Sequence, residues 1–225
     1  MPTLTVVFDL DGTLIDTAPD LIDALNNVFA REGLPPLPYA QARDMIGGGA
    51  RRMIELGVKA QGLRRDAAGL DRLFQNFIAY YSAHIADRSR PFPGLEAALD
   101  ELASLGCRLA VCTNKLERLS RQLLDTLGLG ARFAAICGQD TFGVQKPDPE
   151  ILRRTIARAG GDIAHAAMIG DSANDIDAAR AAKVPVIAVD FGYTEVPVAA
   201  LKPDRIIGHF KDLPRALRDL GRLRR

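Results

Sequence analysis

A pair of carboxylates follows the first apolar run of the chain. Asp9 and Asp11 are separated by one residue, and Gly12 beside them allows the backbone to turn sharply. Such a pair can hold a hard cation, or it can divide the roles of nucleophile and acid/base. A calcium loop counted from Asp9 would need Gly and Glu where the chain has Leu14 and Asp20. On this segment alone, a solvated turn stays an open alternative.

Three later segments place further polar side chains after short apolar runs. Thr113 and Asn114 supply a hydroxyl and an amide, and Lys146 supplies a positive charge just before a helical pattern. Asp171 and Asp175 add two carboxylates, which face the same cavity if a helix begins near residue 172. Because the carboxyl ends of parallel strands share one edge of a sheet, we expect these side chains to converge with the first pair.

The chemistry that suits this set of side chains is phosphoryl transfer. Asp9 can act as the nucleophile and form an aspartyl-phosphate. Asp11 can protonate the leaving oxygen and then deprotonate water. The Thr113 hydroxyl can donate to the phosphoryl oxygens, and Lys146 offsets the negative charge of nucleophile and phosphate.

The same carboxylates predict a metal ion. Asp171 and Asp9 offer hard oxygen ligands to Mg²⁺, and Asp175 would bind the ion directly or orient its ligands. A cation is needed because a carboxylate that attacks a phosphate dianion is an anion approaching an anion. Mn²⁺ would fit the same atoms.

The elements that position these residues alternate between buried strands and helices. Five short apolar runs predict buried strands: residues 3–8, 108–112, 133–137, 166–169 and 185–189. Helical periods cover residues 95–105, 116–127 and 149–159, each followed by a glycine, and Asp148 is placed to cap the last of them. This alternation predicts the α/β class, with a parallel sheet covered on both faces.

One long segment breaks the alternation. Residues 17–86 show helical periodicity and no convincing strand, and a stretch rich in Pro and Gly follows at residues 90–94. We therefore expect an inserted helical cap domain at residues 17–90, and a discontinuous sheet domain formed by residues 1–16 and 91–225.

A glycine-rich segment of the insert is a candidate for substrate contact. Gly48 and Gly49 precede Arg51 and Arg52, so a loop could close on the site and bring one arginine to a substrate carboxylate or phosphate. The alternative is a flexible turn between helices with solvated arginines.

Composition excludes several other classes of function. The net charge of +1 provides no global attraction to nucleic acid or to an anionic membrane, and the basic C-terminal end, which includes Arg224 and Arg225, is typical of a solvated helix face. No apolar run approaches the ~20 residues of a membrane span, and the first residues enter a strand pattern without a signal peptide. Three cysteines without a C-x-x-C pair predict reduced thiols. We expect a cytoplasmic protein, a monomer or homodimer, with a small phosphorylated metabolite as its partner.

The motifs together resemble those of the haloacid dehalogenase superfamily. The segment 8–17 (FDLDGTLIDT) is similar to the first motif, Thr113-Asn114 to the second, Lys146-Pro147 to the third, and Gly170-Asp171 with Asp175 to the fourth. The resemblance implies a Rossmann-like three-layer core with an all-helical cap. It also implies Asp9 as nucleophile, Asp11 as general acid/base, and Mg²⁺ held by the Asp9 carboxylate, the Asp11 backbone carbonyl and Asp171.

Within that superfamily the motifs favour a phosphatase or a phosphomutase. Dehalogenases lack the second Asp of the first motif, which is Asp11 here, and phosphonate-cleaving members use a cap lysine, for which the insert offers only Lys59. Segments that resemble bacterial phosphoglycolate phosphatases cover residues 113–115, 146–149, 168–175, 191–194 and 202–207. The resemblance implies hydrolysis of 2-phosphoglycolate to glycolate and phosphate, although it thins in the cap.

Three alternatives stay open. A sugar-phosphate mutase similar to β-phosphoglucomutase could use the same core, with a cap that excludes water. Another phosphatase of the superfamily could act on a sugar phosphate, pyridoxal phosphate or pyrophosphate. A non-catalytic module that binds phosphate or metal would be expected to have lost a charged group, yet all of the charged groups are present.

Overall fold

The computed structural model describes residues 3–194 and 196–223, and a six-stranded parallel sheet lies at its centre. In chain order its strands are β1 (Thr5–Phe8), β4 (Arg108–Cys112), β5 (Ala135–Cys137), β6 (Ala166–Gly170), β7 (Val186–Val189) and β8 (Arg205–Ile207). Their order across the sheet is β5-β4-β1-β6-β7-β8, and all neighbours are parallel. The predicted α/β class is confirmed.

The five predicted strands are present, with ends within two residues of the prediction. Strand β8 was not predicted, because it has three residues, of which Arg205 and Ile206 are exposed. A short strand at the edge of a sheet carries no continuous apolar run that a sequence pattern could reveal.

Helices cover both faces of the sheet. Beyond residue 90 they are α5 (Leu95–Ser104), α6 (Glu117–Thr126), α7 (Pro149–Arg158), α8 (Ala173–Ala182) and α9 (Leu213–Asp219), with short 3₁₀ turns at Gly130–Arg132, Ile163–His165, Val198–Leu201 and Phe210–Asp212. Side chains alternate along β1, so Val6 and Phe8 pack towards α5, α6 and α9, whereas Val7 packs towards α7 and α8. The result is a three-layer sandwich.

The segment between β1 and α5 is helical, as its periodicity predicts. Its helices are α1 (Ala18–Arg31), α2 (Tyr39–Arg43), α3 (Ala50–Ala60) and α4 (Ala67–Ala83), and α4 packs on both α1 and α3. Two short strands, β2 (Ile15–Asp16) and β3 (Arg90–Pro91), pair antiparallel and bring the two ends of this segment together. This pairing supports our proposal that residues 17–90 form a separate cap domain.

None of the helices in residues 3–194 and 196–223 is both long and apolar enough to cross a membrane. The predicted solvated face at the basic end includes Arg224 and Arg225, which lie outside the described residues.

Candidate active site

Asp9 and Asp11 leave the carboxyl end of β1, as the sequence pattern predicts. The Asp9 backbone N–H still donates to the Ile169 carbonyl of β6, at 2.9 Å, so this residue is fixed to the middle of the sheet. Its side chain is buried. The chain then turns tightly, because the N–H groups of Leu14 and Ile15 both donate to the Leu10 carbonyl.

Lys146 lies beside the Asp9 carboxylate. Its ammonium is 2.8 Å from Asp9 Oδ1 and donates to Asp175 Oδ1 at 2.6 Å, and its side chain is only 1% exposed. Burial disfavours the charged form, but Asp175 and Asp9 more than compensate and hold the pKa of Lys146 above its ordinary value. A fixed positive charge therefore adjoins the predicted nucleophile.

Asp175 is in the first turn of α8, and its side chain accepts hydrogen bonds from the residues just before that helix. Its Oδ2 atom accepts from Ser172 Oγ at 2.7 Å and from the backbone N–H groups of Ser172 and Asp171 at 3.1 and 3.2 Å. Both oxygens of Asp175 are thus engaged by the protein. This geometry favours a positioning role for Asp175 over direct binding of a metal ion.

Asp171, at the end of β6, is held from two sides. Thr13 Oγ1 donates to its Oδ1 at 2.7 Å, and the Tyr193 backbone N–H donates to its Oδ2 at 2.6 Å. Glycine is required at both Gly12 and Gly192, because a Cβ at either position would overlap the Asp171 side chain. Sequence reasoning gave no role to Thr13 or Gly192, although both lie in motif segments.

The acidic cluster fits a divalent cation. Asp9, Asp171 and Asp175 each present an oxygen within 4.8 Å of the others. Asp9 Oδ1 is buried, and apart from its ionic contact with Lys146 no donor in the described ranges reaches it at hydrogen-bonding angles. Burial raises the pKa of Asp9 to about 6, with Lys146 opposing and Asp175 adding to the shift.

The pKa of Asp171 is also raised well above its ordinary value, first by burial and then by Asp175 and Asp9. A hard cation next to these oxygens would relieve that unfavourable charge, and Asp9 and Asp171 could both bind it.

Thr113 and Asn114 follow β4 and face the same end of the sheet. Asn114 accepts from the Lys146 backbone N–H at 2.9 Å and donates to the Lys146 carbonyl at 3.0 Å. The Thr113 hydroxyl accepts from the Lys115 N–H at 3.2 Å. Both residues line the cavity above Asp9, and Asn114 also anchors the segment that carries Lys146.

Comparison with known proteins assigns the chain to a family. A family model described as haloacid dehalogenase-like hydrolase matches residues 6–189. The chain belongs to the haloacid dehalogenase-like hydrolases. The resemblance seen in its four motifs is therefore confirmed.

The sequences of named relatives align with most of the length of this hydrolase. It is 50% identical to the phosphoglycolate phosphatase of Caulobacter vibrioides, over 94% of this chain and 90% of the relative. It is 50% identical to that of Mesorhizobium japonicum, over 92% of each chain. The crystal structure of a predicted phosphoglycolate phosphatase from Haemophilus somnus is similar, with a TM-score of 0.88 and 28% identity over 95% of this chain and 97% of that one.

The glycine-rich loop of the hydrolase reaches the site through its backbone. The Gly47 carbonyl accepts from Asn114 Nδ2 and from Asn174 Nδ2, each at 3.3 Å. Gly49 lines the cavity above Asp9, whereas Gly48 lines a neighbouring hollow.

The structure does not bring the two predicted arginines into the cavity. Arg51 forms an ion pair with Asp71 of α4, and both side chains are largely exposed. Arg52 lies 3.9 Å from Glu55 and lines the neighbouring hollow. A substrate contact of either arginine stays a prediction.

Sequence reasoning assigned no role to Lys115, the residue after Asn114. Its ammonium donates to Asp11 Oδ1 at 3.0 Å and to the Tyr81 hydroxyl at 2.8 Å, and its side chain is 5% exposed. Tyr81 belongs to α4, so the contact joins the helical insert to the sheet domain. The order Thr-Asn-Lys was visible in the sequence, but nothing in it indicated the contact with Tyr81.

The cavity of this hydrolase lies between the sheet edge and the insert, and it is small. Its volume is about 40 Å³. The sheet domain contributes its polar groups together with Leu116 and Leu119, and the insert contributes mostly apolar side chains. The apolar side chains of the insert are Leu21, Ile46, Ala50, Met53, Phe77 and Ile78. Such a shape suits a small anionic substrate.

Proposed function

We propose that this hydrolase cleaves 2-phosphoglycolate to glycolate and phosphate through an aspartyl-phosphate at Asp9. The observation that carries the proposal is the buried Asp9 carboxylate, with the Lys146 ammonium 2.8 Å away and the Asp11 side chain beside the same small cavity. Relatives that are 50% identical over more than nine-tenths of the chain bear the name phosphoglycolate phosphatase.

The first half of the reaction transfers the phosphoryl group to the protein. An Asp9 carboxylate oxygen attacks phosphorus, and the bond from phosphorus to the glycolate oxygen breaks. Asp11 donates a proton to that oxygen, so that glycolate leaves as a neutral alcohol at this position rather than as an alkoxide.

The second half restores the protein. Asp11, now a carboxylate, takes a proton from a water molecule, whose oxygen attacks phosphorus. The bond between phosphorus and the Asp9 oxygen breaks, and inorganic phosphate is released. Thr113 donates to the phosphoryl oxygens, and Lys146 stabilises the negative charge shared by Asp9 and phosphate. Asn114 keeps Lys146 in place through its two backbone hydrogen bonds.

The proposal includes Mg²⁺ as the cofactor. Asp9 and Asp171 would bind the ion, and Asp175 would orient Asp171 and Lys146. When bound, Mg²⁺ supplies the positive charge that lets a carboxylate approach a phosphate dianion.

We also infer a reducing, cytoplasmic environment. Cys112 and Cys137 are register partners on neighbouring strands, and both are buried free thiols. Buried free cysteines are typical of proteins from reducing compartments.

The decisive experiment measures phosphate release from a panel of monoesters with and without Mg²⁺. The panel contains 2-phosphoglycolate, sugar phosphates, pyridoxal phosphate and pyrophosphate. We expect Mg²⁺-dependent preference for 2-phosphoglycolate, and we expect Asp9→Asn, which removes the nucleophile, to show only background activity. Preference for another monoester would overturn the substrate, and an isomerised sugar phosphate without free phosphate would indicate a mutase.

A further inference from the structure

Lys115 is a buried cation that the steps above do not use. Its ammonium contacts both oxygens of Asp11, at 3.0 and 3.3 Å, and the Tyr81 hydroxyl at 2.8 Å. An ammonium has three N–H donors. Its three acceptor atoms match its three donors, so it can donate to a further oxygen only by giving up one of these contacts, of which the one to Asp11 Oδ2 is the longest.

Within the described part of the chain, Lys115 is the one cationic side chain that lines the cavity. Lys146 does not line the cavity, and its ammonium contacts Asp9 and Asp175. Arg51 and Arg52 line other surfaces. A second anionic group of a substrate would therefore have Lys115 as its counter-charge in this cavity.

The position of Lys115 next to Asp11 matches the covalent structure of a phosphorylated 2-hydroxy acid. The general acid must reach the ester oxygen, and the carboxyl carbon of 2-phosphoglycolate is only two bonds from that oxygen. A group that already contacts the Asp11 carboxylate is thus within reach of the substrate carboxylate.

The side of the cavity that the insert forms strengthens the requirement for a cation. Met53, Phe77 and Ile78 face the cavity and offer a carboxylate no hydrogen bond. A carboxylate that loses its water in such a place is unfavourable unless an ionised donor meets it. Burial first, and then Asp11 and Asp20, raise the pKa of Tyr81 well above its ordinary value, so its hydroxyl stays a neutral group that can donate as well as accept.

We propose that Lys115 binds the carboxylate of the substrate and is the residue that selects phosphate esters of 2-hydroxy acids over neutral phosphate esters. On binding, the Lys115 ammonium shifts from Asp11 to the substrate carboxylate, which leaves Asp11 free to contact the ester oxygen. Tyr81 positions Lys115 from the side of the insert. This inference rests on the proposed function, because it concerns the selectivity of the same site.

The test compares two substrates of equal length, 2-phosphoglycolate and 2-hydroxyethyl phosphate, which has a hydroxymethyl group in place of the carboxylate. We expect Lys115→Met to lower kcat/KM for 2-phosphoglycolate about 10- to 100-fold relative to 2-hydroxyethyl phosphate, the range for one charge-assisted hydrogen bond. Any disturbance of Asp11 affects both substrates, so it cancels in the ratio of the two kcat/KM values.

Two further variants act as controls. Lys115→Arg keeps the charge and should retain most of the selectivity. Lys59→Met removes an exposed lysine of α3, outside the cavity, and should leave kcat/KM unchanged for both substrates. If Lys115→Met fails to fold, the ratio of the two kcat/KM values in the unchanged protein still tests the inference, because a ratio near one overturns it.

Several outcomes would overturn the inference. An equal loss for both substrates would show that Lys115 acts on Asp11 alone. A ratio near one in the unchanged protein, with 2-phosphoglycolate still hydrolysed, would exclude selection by charge while leaving the proposed function intact. Absence of 2-phosphoglycolate hydrolysis in the unchanged protein would reject both the proposed function and this inference. The monoester panel would then show whether the protein hydrolyses a different substrate.

Discussion

Asp175 and Lys146 form a buried ion pair that joins the start of α8 to the centre of the site. Lys146 Nζ donates to Asp175 Oδ1 at 2.6 Å, and the side chains are 1% and 0% exposed. Asp9 shares the same ammonium at 2.8 Å. Two buried carboxylates therefore share one buried positive charge, so the balance of charge governs both stability and catalysis.

Removal of that positive charge should destabilise the protein. We expect Lys146→Met to lower the free energy of unfolding by about 3–5 kcal/mol, because it leaves two buried carboxylates without their cation. The double variant Lys146→Met with Asp175→Asn should recover part of this loss, since one carboxylate is removed with the ammonium. Urea unfolding checks stability, and phosphate release should be low in both variants. A double variant no more stable than the single one would contradict this interpretation.

The contact between Gly192 and Asp171 predicts a steric effect on the metal site. In Gly192→Ala the new methyl group overlaps the Asp171 side chain, so the carboxylate must move. We expect a loss of about 1–3 kcal/mol in stability and weaker binding of Mg²⁺. Thermal unfolding with increasing Mg²⁺ measures both effects.

Gly208→Ala is the matched control for this substitution. Its Cβ would lie 3.5 Å from the nearest atom, an ordinary contact, and neither glycine has a positive φ. A Mg²⁺ response in Gly192→Ala equal to that of Gly208→Ala would contradict the steric argument.

The raised pKa of Asp9 predicts how pH affects the protein without metal. The pKa is about 6 in the folded state against an ordinary value of 3.8, so between these values the folded protein keeps a proton that the unfolded chain releases. The free energy of unfolding should therefore fall as the pH rises through this window. The pKa of Asp171 is also raised, so its ionisation should affect stability in the same direction.

Mg²⁺ binds the ionised carboxylates, so its stabilising effect should be larger at pH 7.5 than at pH 5. Tm measured with EDTA and with Mg²⁺ at the two pH values checks this expectation. Asp171→Asn should remove most of the increase in Tm. Equal increases at both pH values would count against titration of these carboxylates.

The convergence of Asp9, Thr113, Lys146 and Asp171 could be predicted because it depends on local signals. Each residue follows a short apolar run or lies just before a helix, and parallel strands bring their carboxyl ends to one edge. The contact between Lys115 and Tyr81 could not be predicted in this way. It joins the segment after β4 to a residue 34 positions earlier in the chain, and the periodicity of α4 indicates only that Tyr81 lies on its apolar face.

The glycine-rich loop illustrates the same limit. Its sequence predicts a turn between helices, and the structure has one there. The direction of the Arg51 side chain depends on Asp71 of α4, whose carboxylate accepts a hydrogen bond from the Arg51 guanidinium. It also depends on the packing of α3 against α4. No pattern within residues 46–52 contains that information.

The hydrogen bonds of Asp20, where the helical insert meets the sheet domain, lead to the last prediction. This buried carboxylate of α1 accepts from the Arg88 and Ser89 backbone N–H groups, at 3.0 and 2.8 Å, and from Ser89 Oγ at 2.6 Å. It thus ties the two ends of the insert together next to the β2–β3 pair. Asp20→Ala leaves those donors without a charged acceptor, and we expect a loss of about 2–4 kcal/mol in the free energy of unfolding.

Asp23→Ala provides the matched control, because Asp23 also binds Arg88. That ion pair connects two side chains that are each 54% exposed, so its loss should cost less than about 1 kcal/mol. Urea unfolding of the two variants measures the difference between a buried acceptor and an exposed ion pair on neighbouring segments. If the two variants lose equal stability, the hydrogen bonds of Asp20 do not hold the ends of the insert together.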